Sequence, residues 1–125
     1  MAIVDARAFL FLRDLARAGV PVRVRGDCME PLIRAGQEVL VRRRRVYLPG
    51  DVIVFRTRAG DLAAHRVLGW RWAGLVTQGD RCAEHDAPVV RDAVVGAVDG
   101  VAVSIGARVA AVARLARIVA RRLTP

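Results

Sequence analysis

Thiol or soft-metal chemistry in this chain rests on four side chains, because it holds only two cysteines, Cys28 and Cys82, and two histidines, His65 and His85. A free thiol titrates near about 8.5, so only a few per cent of it is thiolate at neutral pH. An imidazole within reach takes that proton and leaves a thiolate–imidazolium pair. A carboxylate behind the ring then fixes its tautomer and stabilises the cation. There is no lysine, so all 21 basic side chains are arginine. Any mechanism that needs a neutral lysine amine is therefore excluded, since a guanidinium stays protonated.

Each of these residues also has a plainer role. A single cysteine is usually core packing, and His65 alternates with apolar neighbours as a buried strand histidine would. Cys82 and His85 form a Cys-x-x-His pair. With Cys28 and His65 they make four ligands, enough for tetrahedral zinc. The spacing between the two halves is irregular, however, so no metal and no cofactor is expected, and Cys82 and His85 read as exposed loop. Two cysteines do not make a disulfide framework, and in a reducing cytosol free thiols are the default. A Cys28–Cys82 bridge under oxidation is the alternative.

The elements that must position these residues follow from the pattern. With 125 residues, the chain suffices for one domain and one core. Asp5 is a helix N-cap, Ala8, Phe11, Leu12 and Leu15 form an apolar stripe, and Gly19 with Pro21 ends the helix. Strand signals follow in Val22-Arg23-Val24-Arg25, Val39-Leu40-Val41, Val52-Ile53-Val54-Phe55, Leu62 to Leu68 and Ala73 to Thr77. The last is Val94 to Val103, one strand or two, interrupted at Asp99-Gly100. From Ile105 the period becomes helical, with Ile105, Val109, Val112, Ala116, Val119 and Leu123 on one side and Arg114, Arg117 and Arg121 on the other. The expectation is a single, mainly β, α+β domain. It has an N-terminal helix over 1–20, a β-rich core over 22–103 and a basic amphipathic helix over 105–123.

Four segments stand out in order. They are Gly26-Asp27-Cys28-Met29-Glu30-Pro31 followed by Gly36-Gln37-Glu38-Val39-Leu40-Val41, then Pro49-Gly50-Asp51-Val52-Ile53-Val54-Phe55. His65-Arg66-Val67 comes third, and Gly79-Asp80 with Asp86, Pro88 and Val94-Val95-Gly96 comes last. Together they resemble the signal-peptidase/LexA-type peptidase family over roughly residues 22 to 98. That family has a Gly-x-Ser-Met-x-Pro nucleophile box, two Gly-Asp-led strands, a base-bearing segment and a Gly-Asp loop. The His-Arg-Val segment is similar to the histidine-base branch. The resemblance implies Cys28 at the nucleophile position, His65 as base, and Asp80 or Asp86 as its orienter, with Asp80 preferred. Met29 and Pro31 would line the substrate groove. Two departures stand out. Cysteine replaces the serine, and Gly26 occupies a position where many signal peptidases carry an oxyanion-binding serine, leaving the Cys28 backbone N–H as the main donor. Losing one such donor typically costs about 10²–10³ in rate.

The resemblance thus implies an endopeptidase that cleaves a peptide or precursor protein. A catalytically inactive homologue that binds an extended peptide by strand addition is the alternative, and an arginine-rich nucleic-acid or membrane-surface module stands third. The run Arg42 to Arg45 reads as a solvated face. No helix-turn-helix pattern or aromatic stacking set accompanies it, so nucleic acid is not the expected partner. The C-terminal helix is expected to pack on the β-domain, the other reading being peripheral contact with an anionic membrane. No stretch reaches the roughly 18 apolar residues of a spanning helix, and charges interrupt the first twenty residues, so no leader is read. The expected compartment is the cytoplasm, at the inner membrane face if the helix meets lipid.

Overall fold

A computed structural model describes residues 4–123. Helix α1 spans Ala6–Leu15 and strand β1 Val20–Arg23. Strands β2 (Glu38–Arg42), β3 (Val52–Arg56), β4 (Leu62–Arg71) and β5 (Gly74–Gln78) follow. A 3-10 turn (Arg91–Ala93), strand β6 (Val94–Val98) and helix α2 (Ile105–Leu123) complete the chain. The six strands form one antiparallel sheet in the order β1-β2-β6-β3-β4-β5. The architecture is α+β and mainly β, as the sequence predicts.

Burial follows sheet position. Edge strand β1 alternates, with Val20 and Val22 buried and Pro21 and Arg23 exposed. The apolar runs of β3 and β6 lie at the centre and are buried on both faces. The side chains of β3 divide by the two-residue period, whereas β6 carries an irregularity opposite Val54 and Phe55 that puts Val94 and Ala97 on one face and Val95 and Val98 on the other. Val52, Val54 and Val95 enter a core with Phe9, Val39, Val41, Met29 and Ile33. Ile53, Phe55, Val94 and Ala97 enter a second core with Tyr47, Val67 and Leu75. The Val94 to Val103 segment forms one strand, which stops before the Asp99-Gly100 turn.

Both helices are rotated from the expected stripes. Asp5 caps α1 as predicted, its side chain accepting from Ala8 N–H at 2.8 Å. The buried residues are Phe9 and Ala16, with Leu12 beside them, whereas Ala8, Phe11 and Leu15 face outward. Phe9-Leu10-Phe11-Leu12 is apolar all round, so periodicity alone does not choose the face. Arg56 over the Phe9 ring and Arg13 Nε donating to Val94 O at 2.9 Å hold the one adopted.

Helix α2 packs on the sheet, but through Ala111, Leu115 and Ile118 against Leu68 and Val76. Ile105, Val109, Val112 and Leu123 of the expected stripe are exposed. Gly69 on β4 sets this choice, because a Cβ there would lie 2.6 Å from Leu115 Cδ2. Ser104 caps the helix by accepting from Ala107 N–H at 3.0 Å. Arg108 ties its first turns to Asp51 Oδ1 at 3.0 Å and Pro49 O at 3.1 Å. Asp51 is buried and also accepts from Leu48 N–H at 2.8 Å. The Pro49-Gly50-Asp51 turn thus anchors both β3 and α2. The arginine run is partly engaged in structure, Arg42 pairing with Asp99 and Arg44 with Asp51. No helix among the described residues is long and apolar enough to cross a membrane.

Candidate active site

Cys28 lies in the loop between β1 and β2, on a turn closed by Glu30 N–H to Asp27 O at 3.0 Å. The turn is pinned from below. Met29 is 2% exposed and Ile33 1%, both in the first core. Met29 Sδ also accepts from Asp80 N–H at 3.4 Å. Met29 is therefore a foundation of the loop and does not form the groove wall that the resemblance implied. Pro31 is exposed. The loop after β5 is laced to the same turn, with Arg81 N–H donating to Cys28 O at 2.9 Å and the Arg81 side chain meeting Asp27 and Glu30.

His65 projects from β4, in register with Ile53 of β3. Its side chain is 12% exposed, and the ring packs edge-on to Phe55 with centroids 5.8 Å apart. Asp86, in the loop after β5, places Oδ2 2.6 Å from His65 Nδ1. The same oxygen accepts from Thr77 Oγ1 at 2.6 Å, and Asp86 N–H donates to Thr77 O at 2.8 Å. One strand residue thus fixes both ends of the aspartate. With Asp86 on Nδ1, the other ring nitrogen, Nε2, is left for the thiols.

The Cys28 and Cys82 sulfurs and a His65 ring nitrogen all lie within 4.8 Å of one another. Cys28 lies close enough to the other two to raise the pKa of His65 and of Cys82. Gly79 makes this crowding feasible. A Cβ there would stand 2.7 Å from Cys82 Sγ, 3.1 Å from Cys28 Cβ and 3.2 Å from His65 Cδ2.

Protonation follows from these contacts. Burial pulls the His65 pKa down, but the hydrogen bonds and charges of Asp86 and Cys28 outweigh it, so the pKa stands above its ordinary 6.5. Burial, and then the neighbouring Cys28 thiol, push the Cys82 thiol up. Cys82 is thus the more firmly protonated for being where it is.

The preferred orienter is corrected. Asp80 does not bond His65. It forms a two-pronged pair with Arg66, Nε to Oδ1 and Nη2 to Oδ2, both at 2.8 Å. Arg66 also donates to Gly50 O at 2.8 Å. The pair therefore clamps the Gly79 loop to β4 and to the turn before β3. Asp80, two residues past the end of β5, thus meets the arginine of β4 and not the histidine beside it. The sequence grouped Cys82 with Cys28 and His65 only as a zinc set or an oxidised bridge, both set aside in favour of an exposed loop, and it did not show Thr77 or the packing role of Gly79 as parts of the site.

A cavity of about 680 Å³ opens beside His65 and Asp86, with Phe9, Phe55, Pro88 and Val89 in its walls. On the Cys82 side, a second cleft of about 650 Å³ is walled by Gln78, Arg114 and Arg117. The arrangement sets a thiol near a base and gives the base an anion, and the base and its anion line an apolar cavity. Comparison with known proteins finds no matching family model, no matching curated protein and no matching solved structure.

Proposed function

We propose that this chain is a cysteine endopeptidase of the signal-peptidase type, acting on an extended peptide or precursor protein. The observation that carries the reading is the Cys28–His65–Asp86 chain of contacts, assembled from three segments whose motifs resemble that family. The six-stranded antiparallel sheet, with the nucleophile loop between its first two strands, supports the same reading.

The chemistry runs as follows. His65 Nε2 takes the Cys28 proton, and the sulfur attacks the scissile carbonyl carbon, forming a C–S bond. The oxyanion is held by the Cys28 N–H. His65 then passes its proton to the leaving amine as the C–N bond breaks, leaving a thioester. Water attacks the thioester while His65 accepts its proton, and the C–S bond breaks to return the thiol. Asp86 keeps Nδ1 protonated throughout and stabilises the imidazolium. Apolar substrate side chains enter the cavity beside Phe55 and Val89.

The test is digestion of a random peptide library, followed by mass analysis. Cleavage that is lost in Cys28→Ala, with an acyl-enzyme trapped by hydroxylamine in the active chain, is the expected result. Cleavage that survives Cys28→Ala contradicts the assignment.

A further inference from the structure

The same three side chains admit a second chemistry. Cys28 Sγ, Cys82 Sγ and a ring nitrogen of His65 form a Cys₂His set, with all three ligand atoms within 4.8 Å of one another. In tetrahedral zinc, with Zn–S about 2.3 Å and Zn–N about 2.0–2.1 Å, ligand atoms stand about 3.5–3.8 Å apart. Rotation about the cysteine χ1 bonds covers a difference of that size.

We propose that Cys28, His65 and Cys82 bind one zinc ion, or a cation of similar softness, and that the bound ion switches off the peptidase site. The inhibitory half rests on the peptidase reading, and the binding half does not.

Four observations support the site. Asp86 occupies His65 Nδ1, so Nε2 presents its lone pair to the thiols, the carboxylate–histidine–metal arrangement that orients zinc-binding imidazoles. The backbones carrying the ligands are tied in advance. Gln78 Nε2 donates to Cys82 O at 2.7 Å, Cys82 N–H to Gly79 O at 3.0 Å and Arg81 N–H to Cys28 O at 2.9 Å. Gly79 leaves the ligands room to meet. Finally, two thiolates and a neutral imidazole balance a doubly charged ion, and soft sulfur donors select against magnesium and calcium.

His85, the fourth residue of the zinc pattern visible in the sequence, is not in the set. Its Nδ1 lies 2.9 Å from Asp86 O instead. Three protein ligands would leave a fourth position for water. Binding displaces one proton from each thiol to solvent. It also takes the two atoms that hydrolysis needs, the nucleophile's sulfur and the base's nitrogen.

The test is a cobalt(II) titration of the full reduced chain, with zinc(II) added afterwards as competitor. A single equivalent is expected to give thiolate-to-cobalt charge transfer and the intense visible bands of a tetrahedral site, both displaced by one zinc. Cys82→Ser should lose half of the charge-transfer intensity and weaken zinc binding at least about 10-fold. Asp86→Asn should weaken it about 10–100-fold, and His85→Ala should leave it unchanged. A weak octahedral spectrum in the wild-type chain overturns the site, as does unaltered zinc affinity in Cys82→Ser. The dyad is read separately, under chelator, from the His65 dependence of Cys28 alkylation. A chain that binds zinc but lacks that dependence keeps the metal site and loses the inhibitory role.

Discussion

At the scale of the residue, the account turns on which aspartate serves His65. Asp86 holds Nδ1 and Asp80 holds Arg66, so the two substitutions separate. Asp86→Asn is expected to lower the His65 pKa, seen as an acid-ward shift in the NMR titration of its ring protons. It should also slow peptide cleavage by about 10²-fold or more, through the lost tautomer and imidazolium support. Asp80→Asn should leave that titration in place. The raised pKa also carries a stability sign. A histidine that binds its proton more tightly when folded adds stability in full below the unfolded value of 6.5. That share disappears as the pH climbs through the folded value. Urea unfolding midpoints across this interval should fall toward alkaline pH in the wild-type chain and flatten in His65→Gln. Cys28 and His65 were legible because their motifs come in a fixed order. Asp80 was preferred to Asp86 for its place directly after glycine in the Gly-Asp loop, whereas orientation is set in space, where Arg66 of β4 takes Asp80.

At the scale of the element, the site depends on a few anchors that carry no chemistry. Met29 is fully buried beneath the Cys28 turn, and Met29→Ala should cost about 2–5 kcal/mol, read as a lower denaturant midpoint. Gly79→Ala should perturb the site with little loss of fold, because the added methyl meets Cys82 Sγ and Cys28 Cβ before any backbone outside the loop. Slower alkylation of Cys28 with an unchanged far-UV spectrum is the expected outcome. The strands themselves were largely readable from short apolar runs and turn residues, although β1 begins at Val20 where the expected run began at Val22, and β4 holds a single β-branched residue, Val67. The helix faces were not. In Phe9-Leu10-Phe11-Leu12 every rotation buries an apolar pair, and in α2 the stripe through Ile105, Val109 and Val112 is as regular as the one that packs. Gly69, a residue of another element, decides between the two.

At the scale of the whole molecule, one buried carboxylate joins the sheet to the C-terminal helix. Asp51 takes Arg108 of α2 and the Leu48 N–H. Asp51→Asn is expected to cost about 2 kcal/mol and to expose the arginine-rich helix to limited proteolysis before the sheet unfolds. The layered outline, helix then sheet then helix, was legible from the change of hydrophobic period. The meeting of Cys28 and His65 was expected only through the family resemblance, and periodicity alone could not give it, because β1-β2-β6-β3-β4-β5 is an order of space and not of sequence. The central claim is that this topology makes Cys28 a thiol served by His65. Its most direct measurement is the rate of alkylation of each cysteine by iodoacetamide, followed by mass spectrometry under chelator at neutral pH. The account predicts that Cys28 reacts faster than Cys82 and loses that lead in His65→Ala. Equal, slow labelling of both thiols, unchanged by His65→Ala, would contradict it.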